Sequence, residues 1–213
     1  MAHSLPYQHW FWDFDGTLYN SYPAIAGFFL QALRLLGREA EPDHITRLMK
    51  DRLGTAVRHF AGEAGEDRLL QTFRDLEAEA GLQDIHPYAG AEEALRTIAV
   101  RGGTHYLYTH RDRSAVDALR RDGLWPLFAD AVTGEDGFPS KPAPEALLHL
   151  MNKHGLSAAD CVMVGDRPID LDSGRNAGMA GLLFDPEGYF PQTACAARFQ
   201  SFPQMLTWLQ TAQ

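Results

Sequence analysis

The chain has 213 residues, 45% hydrophobic and 22% charged, with 28 acidic side chains against 19 basic ones and a formal charge of -9. That is an ordinary globular composition, with enough apolar material for one large domain or one domain carrying an insertion. The acidic balance shows no compensating basic patch and disfavours a nucleic-acid partner, while Cys161 and Cys195, with no CxxC or Cys/His spacing, indicate neither a disulfide framework nor a zinc site.

The opening MAHSLPYQHW carries neither the basic nor the apolar segment of an export signal, and no stretch approaches the roughly 18 apolar residues of a membrane span. A cytoplasmic protein with no membrane partner is expected. Residues 9 to 13 read as a short buried strand, because aromatics favour pleated backbone and the run stops abruptly at Asp15-Gly16. SYPAIAGFFLQALRLLG then predicts a helix capped by Ser21, with Pro23 in its first turn and Gly37 as its stop. Two more helical stretches, about Pro42 to Gly62 and Glu66 to Gly81, lead to HPYAGAEEALRTIAVRGG with no strand between them.

From there strands and helices alternate: THYLYTH and SAVDALRRDG, DAVTG and APEALLHLMNKHG, DCVMVGD and PIDLDSGRNAG, AGLLFD and a closing helix near Met205. Such alternation predicts an α/β fold, a Rossmann-like parallel sheet with helices on both faces. The expected core is discontinuous, residues 1–16 and 87–213, with a small all-helical cap at 17–86 inserted after the first strand.

Reactive side chains recur where strands end. Asp13 and Asp15 follow the first strand, Thr109 follows HYLY, Asp166 and Asp170 follow CVMVG, and Lys141 precedes a helix opened by prolines. In a parallel sheet these groups share one rim. Several carboxylates facing a single lysine repel one another, and a hard divalent cation with oxygen ligands, such as Mg2+, relieves that conflict. Each motif also has a plain structural reading. Asp15-Gly16 is a common turn dipeptide, and GDRPID can be a strand end that opens a helix. The ordered combination is what points to chemistry.

DFDGT after an aromatic strand, Thr109, SKPAPE and GDRPID together resemble the four motifs of the haloacid dehalogenase superfamily, over essentially the whole chain. The helical insert resembles the cap of the phosphoglycolate phosphatase and beta-phosphoglucomutase branch. The resemblance implies a phosphatase acting on a small phosphorylated metabolite, with Asp13 as nucleophile and Asp15 as general acid and then base. It further implies Mg2+ held by Asp13, the Asp15 carbonyl and Asp166, with Thr109 and Lys141 serving the phosphoryl group. Gly16 would let backbone N–H groups cradle that group, and Asp170 would stand behind, fixing Lys141 or a metal-bound water. Asp172 is expected on the helix surface. His110 and Arg111 depart from the usual pattern and are expected near substrate. Arg111 reads either as a contact to a substrate carboxylate or as a solvated loop residue, and Lys50 and Arg52 read as substrate contacts or an exposed helix face. Asp15 disfavours a dehalogenase, leaving a phosphomutase and a phospho-accepting switch as rivals. Monomer and homodimer both remain open.

Overall fold

The structure, a computed structural model, describes residues 5–62 and 65–211, so part of the opening segment lies outside the described residues. Trp10, Phe11 and Trp12 are fully buried although they point alternately to opposite faces, which requires the first strand to be covered on both sides. That strand is β1 (His9–Trp12), and it lies inside a six-stranded sheet with β2 (Thr104–Tyr108), β3 (Phe128–Val132), β4 (Cys161–Gly165), β5 (Ala180–Phe184) and β6 (Ala197–Phe199). The order is β3-β2-β1-β4-β5-β6 and every pairing is parallel.

On one face Phe11, Tyr106 and Met163 pack with Ala146, Leu147 and Leu150 of α7 (Glu145–His154). On the other, Trp12 meets Phe202 of α9 (Phe202–Thr211) at 6.3 Å and donates its indole N–H to His105 Nδ1 at 2.9 Å. His105 Nε2 lies 2.9 Å from the Leu95 carbonyl on α5 (Ala91–Val100), so the ring carries its proton on Nε2 and spans strand and helix as a neutral group. Connections α6 (Ser114–Arg121) and α8 (Pro168–Asn176) complete the strand-helix alternation.

Backbone contacts divide the chain into two units, one holding residues up to Tyr19 and from Pro87 onward, the other Asn20–His86. Residues 17–19 stay with the first unit, where the segment after Phe14 folds back on itself. Gly16 adopts φ 73°, its N–H donates to Tyr19 O at 2.8 Å, and the Tyr19 hydroxyl donates to Asp122 Oδ2 at 2.8 Å.

The second unit holds α1 (Tyr22–Leu35), α2 (Pro42–Asp51), α3 (Leu53–Phe60) and α4 (Glu66–Ala80). Phe29 at its centre meets Phe60 at 6.0 Å and Phe73 at 5.5 Å. The single helix expected over Pro42 to Gly62 is broken at Arg52, which is extended at φ -158° and ψ 143°. Ile45, Met49, Ala56 and Phe60 would share one face of an uninterrupted helix as well, so periodicity could not reveal the break. Ser21 precedes α1 but makes no side-chain cap bond, because its own backbone is already helical at φ -88° and ψ -24°. The short β6 was not expected; three residues carry no readable alternation. Among the described residues no helix is long and apolar enough to cross a membrane.

Candidate active site

The chain runs outward from β1 toward β2 and β3 on one side, and from β4 toward β5 and β6 on the other. The carboxyl ends of β1 and β4 therefore flank the point where the order reverses, where sheets of this kind leave a crevice for ligands. Asp13 and Asp166 stand at those two strand ends. The Asp13 N–H donates to Val164 O at 2.9 Å, extending the ladder one residue past β1 and fixing where the Asp13 side chain begins. The Thr17 hydroxyl lies 3.5 Å from Asp166 Oδ1, linking the turn after β1 to the tip of β4.

Lys141 brings the acids together. Its ammonium donates to Asp13 Oδ1 at 2.7 Å and to the Tyr108 carbonyl at 3.0 Å, and it lies 4.5 Å above the Tyr108 ring. Asp170 Oδ1 is 2.9 Å away, close enough for an ion pair although the angle there is not that of a hydrogen bond. The other oxygen of Asp170 accepts the Arg167 N–H at 3.0 Å, satisfying one of the donors left open in the first turn of α8. Gly165 makes this possible, since a Cβ there would lie 2.6 Å from Asp170 Cγ.

The charges are unequally comfortable. Burial pushes the Asp13 carboxyl up to about 6, against the opposing pull of Lys141 and with a further push from Asp170. Burial works the same way on Asp170, but there Lys141 and Arg167 outweigh it and hold the carboxyl below its ordinary value. Burial alone would lower Lys141, yet Asp13 and Asp170 raise it, so the ammonium stays charged. Of these two acids, Asp13 is the one whose charge the fold compensates less.

The Thr109–Arg111 loop ties the remaining groups in place. Thr109 Oγ1 accepts the Arg111 N–H at 3.1 Å, which leaves the hydroxyl proton available to a ligand. His110 Nε2 accepts the Lys141 backbone N–H at 2.9 Å. Burial of the ring, then the Lys141 and Arg167 charges, lower the His110 pKa to about 4, so it is a neutral acceptor although the residue keeps an exposed edge. Arg111 does not lie in solvent: its Nε is 2.9 Å from Asp15 Oδ2 and 3.2 Å from Oδ1. Arg167 adds a weaker charge, with Nε 3.8 Å from Asp166 and 3.7 Å from Asp170. The acids therefore face three cationic side chains, Lys141, Arg111 and Arg167.

Asp13, Asp166 and Asp170 each offer an oxygen within 4.8 Å of the others, all buried. Asp13 Oδ2 has no hydrogen-bond partner. An all-carboxylate donor set with an orphaned buried oxygen fits a hard divalent cation. The Asp15 carboxylate is outside this cluster, turned to Arg111.

Asp172 pairs with Arg175 at 3.0 Å on the surface of α8. In the other unit Lys50 is buried with its ammonium 4.8 Å above the Tyr22 ring, while Arg52 is exposed. Sequence reasoning gave no part to Thr17, Tyr108 or Gly165. Thr17 stands in the sequence as the last residue of DFDGT, whereas Tyr108 meets Lys141 through its backbone carbonyl and its ring face, a pairing across 33 residues that no local pattern announces.

The fold is a parallel α/β sheet whose switch point gathers buried carboxylates around one lysine. A sequence model of the family described as Haloacid dehalogenase-like hydrolase matches residues 11–183, and the chain belongs to that family. It is 33% identical over 184 residues to a protein named Phosphoglycolate phosphatase from Vibrio parahaemolyticus, covering 79% of each chain. It is 28% identical over 201 residues to Pyrophosphatase PpaX of Halalkalibacterium halodurans, covering 91% of this chain and 93% of that one. Among solved structures, a predicted phosphoglycolate phosphatase from Haemophilus somnus superposes with a TM-score of 0.81 over 96% of this chain and 99% of its own, at 22% identity, a likeness of fold.

Proposed function

We propose that the protein is a divalent-cation-dependent phosphatase that hydrolyses a small phosphate monoester through an aspartyl phosphate on Asp13. The observation that carries this reading is Asp13 itself, buried at the switch point, held by Lys141 at 2.7 Å through one oxygen and presenting the other without a partner. A carboxylate so placed attacks phosphorus, the bond from phosphorus to the ester oxygen breaks, and Asp15 gives its proton to the departing oxygen. Water then attacks the same phosphorus, Asp15 takes its proton, and Asp13 is returned as a carboxylate with phosphate released. Thr109 donates its hydroxyl to a phosphoryl oxygen and Lys141 offsets the charge on Asp13 and the transferring group.

Asp13 and Asp166, with the Asp15 carbonyl, would hold Mg2+, and Asp170 would keep Lys141 in place beside them. When bound, the cation neutralises charge that would otherwise separate a carboxylate from an anionic substrate. The relatives named phosphoglycolate phosphatase support phosphoglycolate as the first ester to try. The test is phosphate release from a panel of phosphoglycolate, sugar phosphates, diphosphate and an aryl phosphate, with and without Mg2+. Mg2+-dependent release by the wild type that disappears in Asp13→Asn supports the reading, and release by folded Asp13→Asn at the wild-type rate sinks it.

A further inference from the structure

Asp15 and Arg111 are 96 residues apart in the chain and meet as an ion pair whose side chains are only 22% and 11% exposed. Pairs on open surface hold little, because water screens them and both side chains wander. This one differs on both counts. The Arg111 backbone is fixed from two sides, its N–H on Thr109 Oγ1 at 3.1 Å and its carbonyl accepting the Gly134 N–H at 2.8 Å. Gly134 packs so closely that an added Cβ would lie 3.1 Å from the His110 carbonyl carbon. The loop is therefore anchored before the side chain is placed. On the other side, Asp15 sits where the chain enters the Gly16 turn, and among the described residues no group other than Arg111 bonds its carboxylate.

We infer that Arg111 is the positioning residue for Asp15, holding the carboxyl where a proton passes to the leaving oxygen and later from water. The inference rests on the hydrolase reading above. A side chain with two free torsions, aimed at a proton that must move along one line, loses rate steeply when its orientation is not enforced. The Nε contact reaches both carboxylate oxygens, and an ammonium cannot reproduce the planar donor that makes it. A substrate carboxylate that occupied Arg111 would have to displace Asp15, so substrate anchoring and positioning make opposite predictions.

The test compares phosphoenzyme formation from an alkyl phosphate, whose leaving oxygen needs a proton, with that from 2,4-dinitrophenyl phosphate, whose leaving group does not. Arg111→Ala is expected to lose about 100-fold on the alkyl ester and far less on the dinitrophenyl ester, the size of a general-acid contribution. Asp15→Asn should show the same contrast, and the double variant should be no slower than Asp15→Asn alone. Arg111→Lys should not restore the alkyl ester. Equal losses on both esters would assign Arg111 to the substrate and overturn the inference, as would no loss at all. If the wild type cleaves no ester, the phosphatase reading falls separately. A crystal structure of Arg111→Ala then decides the inference: a rotated or multiply placed Asp15 carboxylate upholds it, and an unmoved one overturns it.

Discussion

Neutralising the proposed nucleophile should make the metal-free protein more stable. Asp13 shares one ammonium with Asp170 and lies beside Asp166, so the buried cluster holds three carboxylates within 4.8 Å. Removing one partner of an isolated buried ion pair is normally costly. Here Lys141 keeps Asp170 at 2.9 Å, and Asp13→Asn removes a surplus negative charge while leaving an amide oxygen for the ammonium. Burial raises the Asp13 carboxyl from its ordinary 3.8 to about 6. The folded state thus disfavours the ionised form. Whatever stability the group contributes is present below pH 3.8 and is lost as pH rises through about 6. At about 1.4 kcal/mol per unit, the rise sets an upper bound of about 3 kcal/mol of destabilisation at pH 8, part of which the pairing with Lys141 offsets. Asp13→Asn escapes that cost, and for a chain of this size a gain of 1–3 kcal/mol should lift the midpoint by about 3–10 °C. The assay is thermal or urea unfolding at pH 8 in EDTA, repeated at pH 4, where the two proteins should converge. Saturating Mg2+ should raise the wild type and leave Asp13→Asn nearly unmoved. A metal-free Asp13→Asn less stable than wild type at pH 8 would refute the reasoning, because the ammonium would then need Asp13 more than the cluster suffers from it.

Two further outcomes follow from single contacts. Gly165→Ala would drive a methyl group into Asp170, and should cost about 1–3 kcal/mol of stability together with most of the phosphatase activity. Loss of stability with full activity would mean that the Lys141–Asp170 pair does not serve catalysis. His105 is held neutral, its pKa lowered by burial to about 4, so its contribution is complete above pH 6.5 and fades as pH falls toward 4. About 3 kcal/mol should be lost across that window through this ring. His105→Gln should show a flatter urea-midpoint profile between pH 7 and 4, and an unchanged slope would show that another group governs acid unfolding.

Much of the fold was legible because its signals are local. WFW before Asp13 marks a strand buried on both faces, and CVMVG before Asp166 marks another. Apolar runs alternating with helical periods point to a parallel sheet covered on both faces. Arg52, whose extended backbone ends one helix and begins the next, leaves no trace in the apolar spacing. The three residues of β6 are too few to carry a pattern.

The sequence by itself determined the chemistry available at the rim: which strands end in acids, that a hydroxyl stands at another strand end and a lysine ahead of a proline-opened helix, and that Gly16 permits a sharp turn. Those facts depend on neighbouring residues and on the short-range sterics of backbone and side chain. Only the tertiary structure decided how that chemistry is balanced. Arg111 faces Asp15, Asp170 bridges Lys141 and the first turn of α8, and His110 fastens the Lys141 backbone. Except for the bond from Asp170 to the Arg167 N–H, which is local to the start of α8, each of these contacts joins residues far apart in the chain. Coulombic and hydrogen-bond energies depend on distances of a few ångströms and on burial, which are set by how the sheet brings its strand ends together.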